Sequence, residues 1–257
     1  MSDGAAEQFL QAMMAPPRRR KVPRIAEPLR QIEMQEIEGP QGKIAAWRLG
    51  EGPAVLLVHG FEDDNVLWTP LIDALTARDR GIVVFDLPGH GLSEGDNGFA
   101  PAGAEAMMAV AKALGPVDAI AAHSIGCWAT ALAICEGLNA DRVVLMAAPF
   151  GPTAERWRRA ALKLDFPAEI GDRALALYRE RLGPARSREL HELLQSRTNP
   201  MLFIHSRDDE RAPFEAARQV CANCANAQLL ALDGAGHRET AQQRDAISGA
   251  VMFLDLE

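Results

Sequence analysis

The chain is poor in aromatic residues, with one tyrosine, and it contains no apolar run near the roughly 20 residues needed to cross a bilayer. No membrane span is therefore expected. The N-terminus also lacks the basic-then-apolar order of a secretory signal, so a cytoplasmic location is the expectation. Basic charge is in deficit: 27 Lys plus Arg stand against 35 Asp plus Glu, a net charge of -8, which offers no general attraction to nucleic acid or to an anionic membrane. Cysteine is scarce as well. Four in 257 residues do not make a disulfide framework, and no set of His or Cys residues has the spacing of a metal site. Cys127 and Cys135 fall in a helical stretch where buried thiols act as small apolar fillers. Cys221 and Cys224 form a CxxC late in FEAARQVCANC, away from a helix start and without a second ligand pair, so neither metal nor redox chemistry is expected there. No cofactor is implied. Internal repeats and low-complexity tracts are also missing.

What is present is a series of short apolar runs, each closed by Gly, Pro, Ser or Asp and alternating with helical stretches. The runs are AVLLVHG to Gly60, GIVVFDLPG to Gly89, DAIAAHS to Ser124, RVVLMAAP to Pro149 and MLFIHS to Ser206. Runs this rich in β-branched residues suit strands buried on both faces of a parallel sheet, with the helices as right-handed crossovers. Residues 227 to 232, AQLLAL, add a strand, and 31 to 38 with 43 to 48 form an entry hairpin around Gly39-Pro40-Gln41-Gly42. The expected fold is α/β, with a mostly parallel eight-stranded sheet flanked by helices.

The domain plan has three parts. Residues 28–149 and 200–257 make the core, closed by a helix whose Ile247, Val251 and Leu254 share one face. Residues 150–199, rich in Arg and Glu and broken by Pro152, Pro167 and Pro184, read as a small helical cap inserted between two strands. Residues 1–27 read as an N-terminal arm: FLQAMM has one or two apolar helical turns, and the basic, proline-bearing APPRRRKVPR is extended. Self-association through that arm is a further expectation.

The segment DAIAAHSIGCWAT places Ser124 between a strand and a helix, with the small residues Ala122 and Gly126 two positions to either side. A nucleophile elbow requires that spacing, because strand and helix backbones nearly touch where the serine is pushed into the open. The helix start aims the N–H of Ile125 at the same place, where it can meet an oxyanion. A plain helix N-cap is the competing reading of Ser124. A serine hydroxyl needs a base and an orienting carboxylate to attack at neutral pH. His237, in the turn DGAGHRE after the last strand, and Asp209, in SRDDERAP after MLFIHS, both fall at the C-terminal edge of the sheet, where ligand sites collect.

From about residue 31 to the end, the chain resembles the α/β-hydrolase fold family. The resemblance rests on HGF at 59–61, DLPGHGLS at 86–93, AHSIG at 122–126, IHSRDDERAP at 204–213 and GAGH at 234–237. It implies a Ser124, Asp209, His237 triad in the family's chain order. It also implies an oxyanion hole from the backbone N–H groups of Phe61 and Ile125. Two departures touch the site: Ala122 replaces the first glycine of GxSxG, and Ser206 replaces a strand-end glycine, which leaves both Asp208 and Asp209 as acids to weigh. The spacing to Pro213 favours Asp209. His59, His90 and His123 are expected to satisfy loop hydrogen bonds, with His205 at a strand end, His191 on the cap and Met107 and Met108 in the core.

The loop after HGF carries Glu62, Asp63 and Asp64, which are expected to form a solvated acidic face with at most a weak bias against anionic substrates. The activity implied is that of a serine hydrolase cleaving a small or medium carboxylic ester through an acyl-enzyme on Ser124. Carbon–carbon bond hydrolase, thioesterase, lactonase and perhydrolase reactions share that machinery. A non-catalytic ligand-binding role is the alternative from another class. The expected partner is a small-molecule ester or acyl substrate.

Overall fold

In the computed structural model, which describes residues 3–16, 23–149 and 153–255, the apolar runs lie side by side in one eight-stranded sheet. Helix α1 (Asp3–Met14) precedes the antiparallel hairpin of β1 (Gln35–Gly39) and β2 (Gly42–Leu49). Strands and helices then alternate through β3 (Ala54–Val58), α2 (Thr69–Thr76), β4 (Gly81–Phe85), α3 (Ala100–Leu114), β5 (Val117–His123), α4 (Ile125–Cys135) and β6 (Arg142–Met146). Helices α5 (Ala154–Lys163), α6 (Ala168–Arg186) and α7 (Leu190–Leu194) intervene before β7 (Met201–Ser206), α8 (Phe214–Ala222), β8 (Ala227–Leu232) and α9 (Arg244–Leu254). The strand order is β1-β2-β4-β3-β5-β6-β7-β8, parallel from β4 onward, with β2 antiparallel to β4.

Continuous apolar sequence makes these strands because each must supply two cores at once. Along β3, Ala54, Leu56 and Val58 face the cluster under α3 and α4, while Val55 and Leu57 face the cluster under α2 and α9. Successive side chains of a strand point to opposite faces, so a polar residue on either face would be buried. Helix α4 lies deepest. Every residue from Ile125 to Ala133 is buried, while Cys135 at its last turn is exposed and does not fill the core as expected. Met107 is fully buried, and Met108 packs partly buried on the same cluster. The Cys221 and Cys224 thiols are both free. Among the described residues no helix is long and apolar enough to cross a membrane.

The inserted segment forms helices α5 to α7 between β6 and β7. Pro167 precedes α6, and Gly183, with φ 71°, kinks it just before Pro184, so the prolines break the helices as their rigid rings require. Pro152 lies outside the described residues, as does the basic cluster at 18–21.

The described residues of the N-terminal arm pack on the rest of the fold. Helix α1 runs for three turns and packs against α6, burying Ala6, Phe9 and Leu10. Phe9 meets Trp157 of α5 edge-on at 6.0 Å and Phe166 at 5.6 Å. Further on, Ala26 and Leu29 are buried against the opposite core. The short apolar stretch FLQAMM under-represented this helix because its burial comes from one stripe of residues starting at Ala6, outside that stretch. Exposed ion pairs of Asp3 with Arg173 and of Glu7 with Arg181 flank the contact and add little next to the apolar burial. Phe9→Ala is expected to lower stability by about 3 kcal/mol and to expose α1 to amide exchange. Arg173→Ala should leave the urea midpoint nearly unchanged. Urea unfolding with hydrogen exchange of α1 checks both, and equal small effects would mean that α1 is not part of the fold.

Candidate active site

Ser124 sits at the join of β5 and α4 with φ 52° and ψ -125°, a left-handed backbone that a residue with a Cβ adopts only under constraint. Two glycines supply the constraint. A Cβ on Gly126 would lie 2.6 Å from the Val58 carbonyl oxygen and 2.7 Å from that of His59, so the first turn of α4 presses directly on β3. A Cβ on Gly60 would lie 2.7 Å from His123 Nδ1 and 2.9 Å from Ser124 Cβ. The Ser124 N–H donates to the Met146 carbonyl at 2.9 Å, tying the turn to β6. Ala122, fully buried, meets the same limit on size. Neither the N–H of Ile125 nor that of Phe61 has an acceptor among the described residues, and both residues line the pocket at Ser124.

The loops after β7 and β8 bring Asp209 and His237 to the serine. His237 Nδ1–H donates to Asp209 Oδ2 at 2.8 Å, which leaves Nε2 as the acceptor for the Ser124 hydroxyl, also at 2.8 Å. Asp209 is buried, and its Oδ1 accepts the N–H groups of Arg211 at 2.9 Å and Ala212 at 2.8 Å. Burial alone would push this carboxyl up. The His205 ring at 3.4 Å, the hydrogen bond from His237 and the Ala212 N–H outweigh it and hold the pKa well below the ordinary carboxylate range. His205 also donates from Nε2 to the Ala212 carbonyl at 2.7 Å, bracing the turn that carries Asp209.

Asp208 faces elsewhere. Its Oδ2 accepts the Gly234 N–H at 2.7 Å, pinning the turn before His237, and its own N–H donates to Ser206 Oγ at 3.2 Å. The serine that replaces the strand-end glycine therefore accepts a bond from this turn, and the carboxylate at the imidazole is that of Asp209.

The loop after Phe61 differs from the expected solvated face. Asp63 and Asp64 are buried, Asp63 paired with Arg238 at 2.6 Å and Asp64 held by a two-pronged Arg24 at 2.8 and 3.0 Å. Asp64 also accepts the Val66 N–H, capping the short helical turn at Asn65–Trp68. Glu62 is the exposed member, 3.6 Å from Arg211. With each carboxylate opposed by a guanidinium, the physical basis for repelling anions is removed.

Three neutral imidazoles stitch the loops together. His59 donates from Nδ1 to the Gly60 carbonyl at 2.7 Å and accepts the Leu87 N–H at 2.9 Å. His90 donates to the Pro88 carbonyl at 2.9 Å, and His123 Nε2 donates to the His237 carbonyl at 2.9 Å. Burial lowers the pKa of each to about 4. Asp86, beneath the same loops, is pushed up to about 6 by burial, against the donors Leu92 N–H and Asn65.

The pocket over Ser124 and His237 is small, about 210 Å³, with apolar walls from Phe61, Phe99, Ile125, Pro149 and Ala212. Met13 of α1, Arg156 of α5 and the facing pair Glu62 and Arg211 also line it. No sequence signal marked Met13 or Arg156. Met13 lies in a segment read as an arm, and Arg156 is one arginine of three in ERWRR.

The buried histidines set a pH response. Between about pH 6.5 and 4 the unfolded chain binds three protons that His59, His90 and His123 refuse in the fold, so stability falls as pH drops through that window. Asp86 opposes this, because between about pH 6 and 3.8 the folded state holds its proton more tightly, but it is one group against three. The expected net loss from pH 7 to 5 is a few kcal/mol, read as a falling urea midpoint. A flat midpoint would mean that the rings protonate in place.

Known proteins share this architecture. The pimeloyl-[acyl-carrier protein] methyl ester esterase of Xanthomonas campestris pv. campestris is 24% identical over 246 aligned residues, covering 79% of this chain and 95% of that protein. The Pyrococcus furiosus esterase PF2001 superposes with a TM-score of 0.70 at 18% identity, over 94% of this chain and 96% of its own. The esterase EaEST of Exiguobacterium antarcticum gives 0.67 at 18% identity over 87% and 100%. A thioesterase domain from the curacin biosynthetic pathway gives 0.65 at 18% over 86% and 99%. At these identities the solved structures speak for the fold alone. Residues 55–249, from the first parallel strand into the last helix, match the model of the alpha/beta hydrolase family, and the chain belongs to that family.

Proposed function

We propose that the chain is a serine hydrolase that cleaves a small or medium carboxylic ester, with Ser124 as nucleophile. The observation that carries this reading is the unbroken chain of hydrogen bonds from Ser124 through His237 to Asp209, each of 2.8 Å. Ser124 Oγ attacks the ester carbonyl while His237 Nε2 takes its proton, and the Asp209 carboxylate holds the ring's tautomer and stabilises the imidazolium that forms. The N–H groups of Phe61 and Ile125, without another acceptor among the described residues, suit the oxyanion of the tetrahedral intermediate. Collapse returns the proton from His237 to the leaving alcohol and leaves an acyl group on Ser124. Water, deprotonated by His237, then attacks that acyl group, and the acid departs as Ser124 recovers its proton. A cavity of about 210 Å³ limits the acyl group to small or medium size. An ester is favoured as substrate by the named activities of the Xanthomonas relative and of the two esterase structures.

Ser124→Ala and His237→Ala should each abolish turnover of p-nitrophenyl esters without lowering the unfolding midpoint much, and Ser124→Ala should end labelling by a fluorophosphonate probe. Residual turnover above about a hundredth of wild type in Ser124→Ala would sink the assignment. The two aspartates should separate sharply. Asp209→Asn is expected to lower kcat by about 10⁴, since an amide can donate to Nδ1 and hold the wrong tautomer. Asp208→Asn keeps an oxygen for the Gly234 N–H and should lose less than about tenfold. The reverse ranking would make Asp208 the triad acid.

A further inference from the structure

Arg156 stands out against the other cations around it. Its neighbours on α5 are paired, Arg158 with Asp172 at 2.8 Å and Arg159 with Glu155 at 2.6 Å, and the α6 arginines Arg173 and Arg186 are paired with Asp3 and with Glu105 and Glu136. Arg156 donates its backbone N–H to Thr153 Oγ1, yet its guanidinium has no hydrogen bond or ion pair among the described residues. The nearby sequence 150–152 and the segment 17–22 contain no Asp or Glu that could serve. The side chain keeps solvent contact, while surrounding protein atoms crowd it enough to lower its pKa with no carboxylate to offset the effect. It lines the same pocket as Ser124 and His237, whose other walls are apolar residues together with Glu62 and Arg211, which face each other at 3.6 Å.

An unpaired guanidinium at the rim of a largely apolar pocket is open to an anion that enters it, since no carboxylate of the protein competes for its donors. The carboxylates near the pocket are already engaged. Asp209 is bound to His237 and two backbone N–H groups, and Glu62 faces Arg211. We propose that Arg156 is a specificity residue that binds a carboxylate carried by the substrate, so that the preferred ester bears a free carboxylate at the far end of a short apolar chain. The inference rests on the hydrolase reading above and narrows its substrate class. One planar guanidinium fork matches a monoanionic carboxylate in both charge and geometry, and the apolar walls suit the methylenes between the carboxylate and the reacting carbonyl. This reverses the anion bias expected from the acidic loop, because the carboxylates of that loop are already paired and this cation is not.

The test uses p-nitrophenyl half-esters of glutaric, adipic and suberic acid beside the same compounds with the free carboxylate capped as a methyl ester. Wild type is expected to prefer the anionic member of the best pair by about tenfold or more in kcat/KM, carried mostly by KM. Arg156→Gln should erase that ratio, and Arg156→Lys should restore part of it. A ratio unchanged by Arg156→Gln would overturn the anchor while leaving the hydrolase assignment standing. Failure of wild type to cleave any ester or to take a fluorophosphonate label would overturn the hydrolase assignment instead. Binding then reads the anchor without turnover. In calorimetric titrations of the Ser124→Ala protein, monomethyl adipate should bind about tenfold tighter than dimethyl adipate, and the difference should vanish when Arg156→Gln is added. Equal binding of the two esters would overturn the anchor.

Discussion

The site depends on one steric constraint, the contact of the first turn of α4 with the end of β3. Gly126 touches the carbonyls of Val58 and His59, and Gly60 touches His123 and Ser124, so the backbone at Ser124 has no room to relax into an ordinary helix start. Its positive φ stores strain on the order of 1–3 kcal/mol, which the buried packing of α4 and β5 must outweigh. In return the serine side chain is presented clear of both elements and within 2.8 Å of His237. The placing of the Ser124 hydroxyl and of the Ile125 N–H are consequences of the same turn.

Around that turn the polar groups are arranged so that loops, not side chains alone, are fixed. His59, His90 and His123 are buried and neutral, and each ties its own loop to another through a ring nitrogen, His90 by accepting the Glu62 N–H at 3.4 Å. The acidic residues are each met by a guanidinium from a distant part of the chain, Arg24 reaching Asp64 and Arg238 reaching Asp63. The second of these pairs is instructive. Arg238 adjoins His237, and Asp63 lies two residues from Phe61, so one ion pair couples the loop that carries His237 to the loop that carries Phe61. A neutral imidazole or a closed ion pair can brace a loop next to a reacting centre without adding a net charge to it.

The elements legible in the sequence were those fixed by local chemistry. Apolar runs closed by Gly or Pro marked the strands, the Gly39-Pro40-Gln41-Gly42 turn marked the hairpin, and small residues two places from Ser124 marked the elbow. Illegible were the features whose meaning depends on a partner far along the chain. Glu62, Asp63 and Asp64 read as a solvated run, because nothing local announces that Arg24, Arg211 and Arg238 will fold onto them. Helix α1 read as an arm because its burial comes from Trp157 and Phe166, more than 140 residues away. The choice between Asp208 and Asp209 turned on Ser206, whose hydroxyl accepts the Asp208 N–H and keeps the turn in register.

The same distinction explains why the pocket is more particular than the three residues proposed to react in it. Ser124, Asp209 and His237 follow the ends of β5, β7 and β8 in that order, so the sheet itself sets their spacing. The pocket walls come from segments outside the sheet: Met13 from α1, Phe99 from the residue before α3, and Arg156 from the first turn of α5. Phe99 also packs edge-on against Trp128, Trp157 and Tyr178, which lock the cap and α4 to the same aromatic cluster that Phe9 joins through Trp157. Substitutions in that cluster reach the pocket wall by changing how α1 and the cap seat on the core, while the sheet continues to hold the three catalytic candidates in line. On the proposed reading, substrate choice and reaction chemistry therefore rest on different parts of the chain, the first on helices that pack over the sheet and the second on the strand ends beneath them.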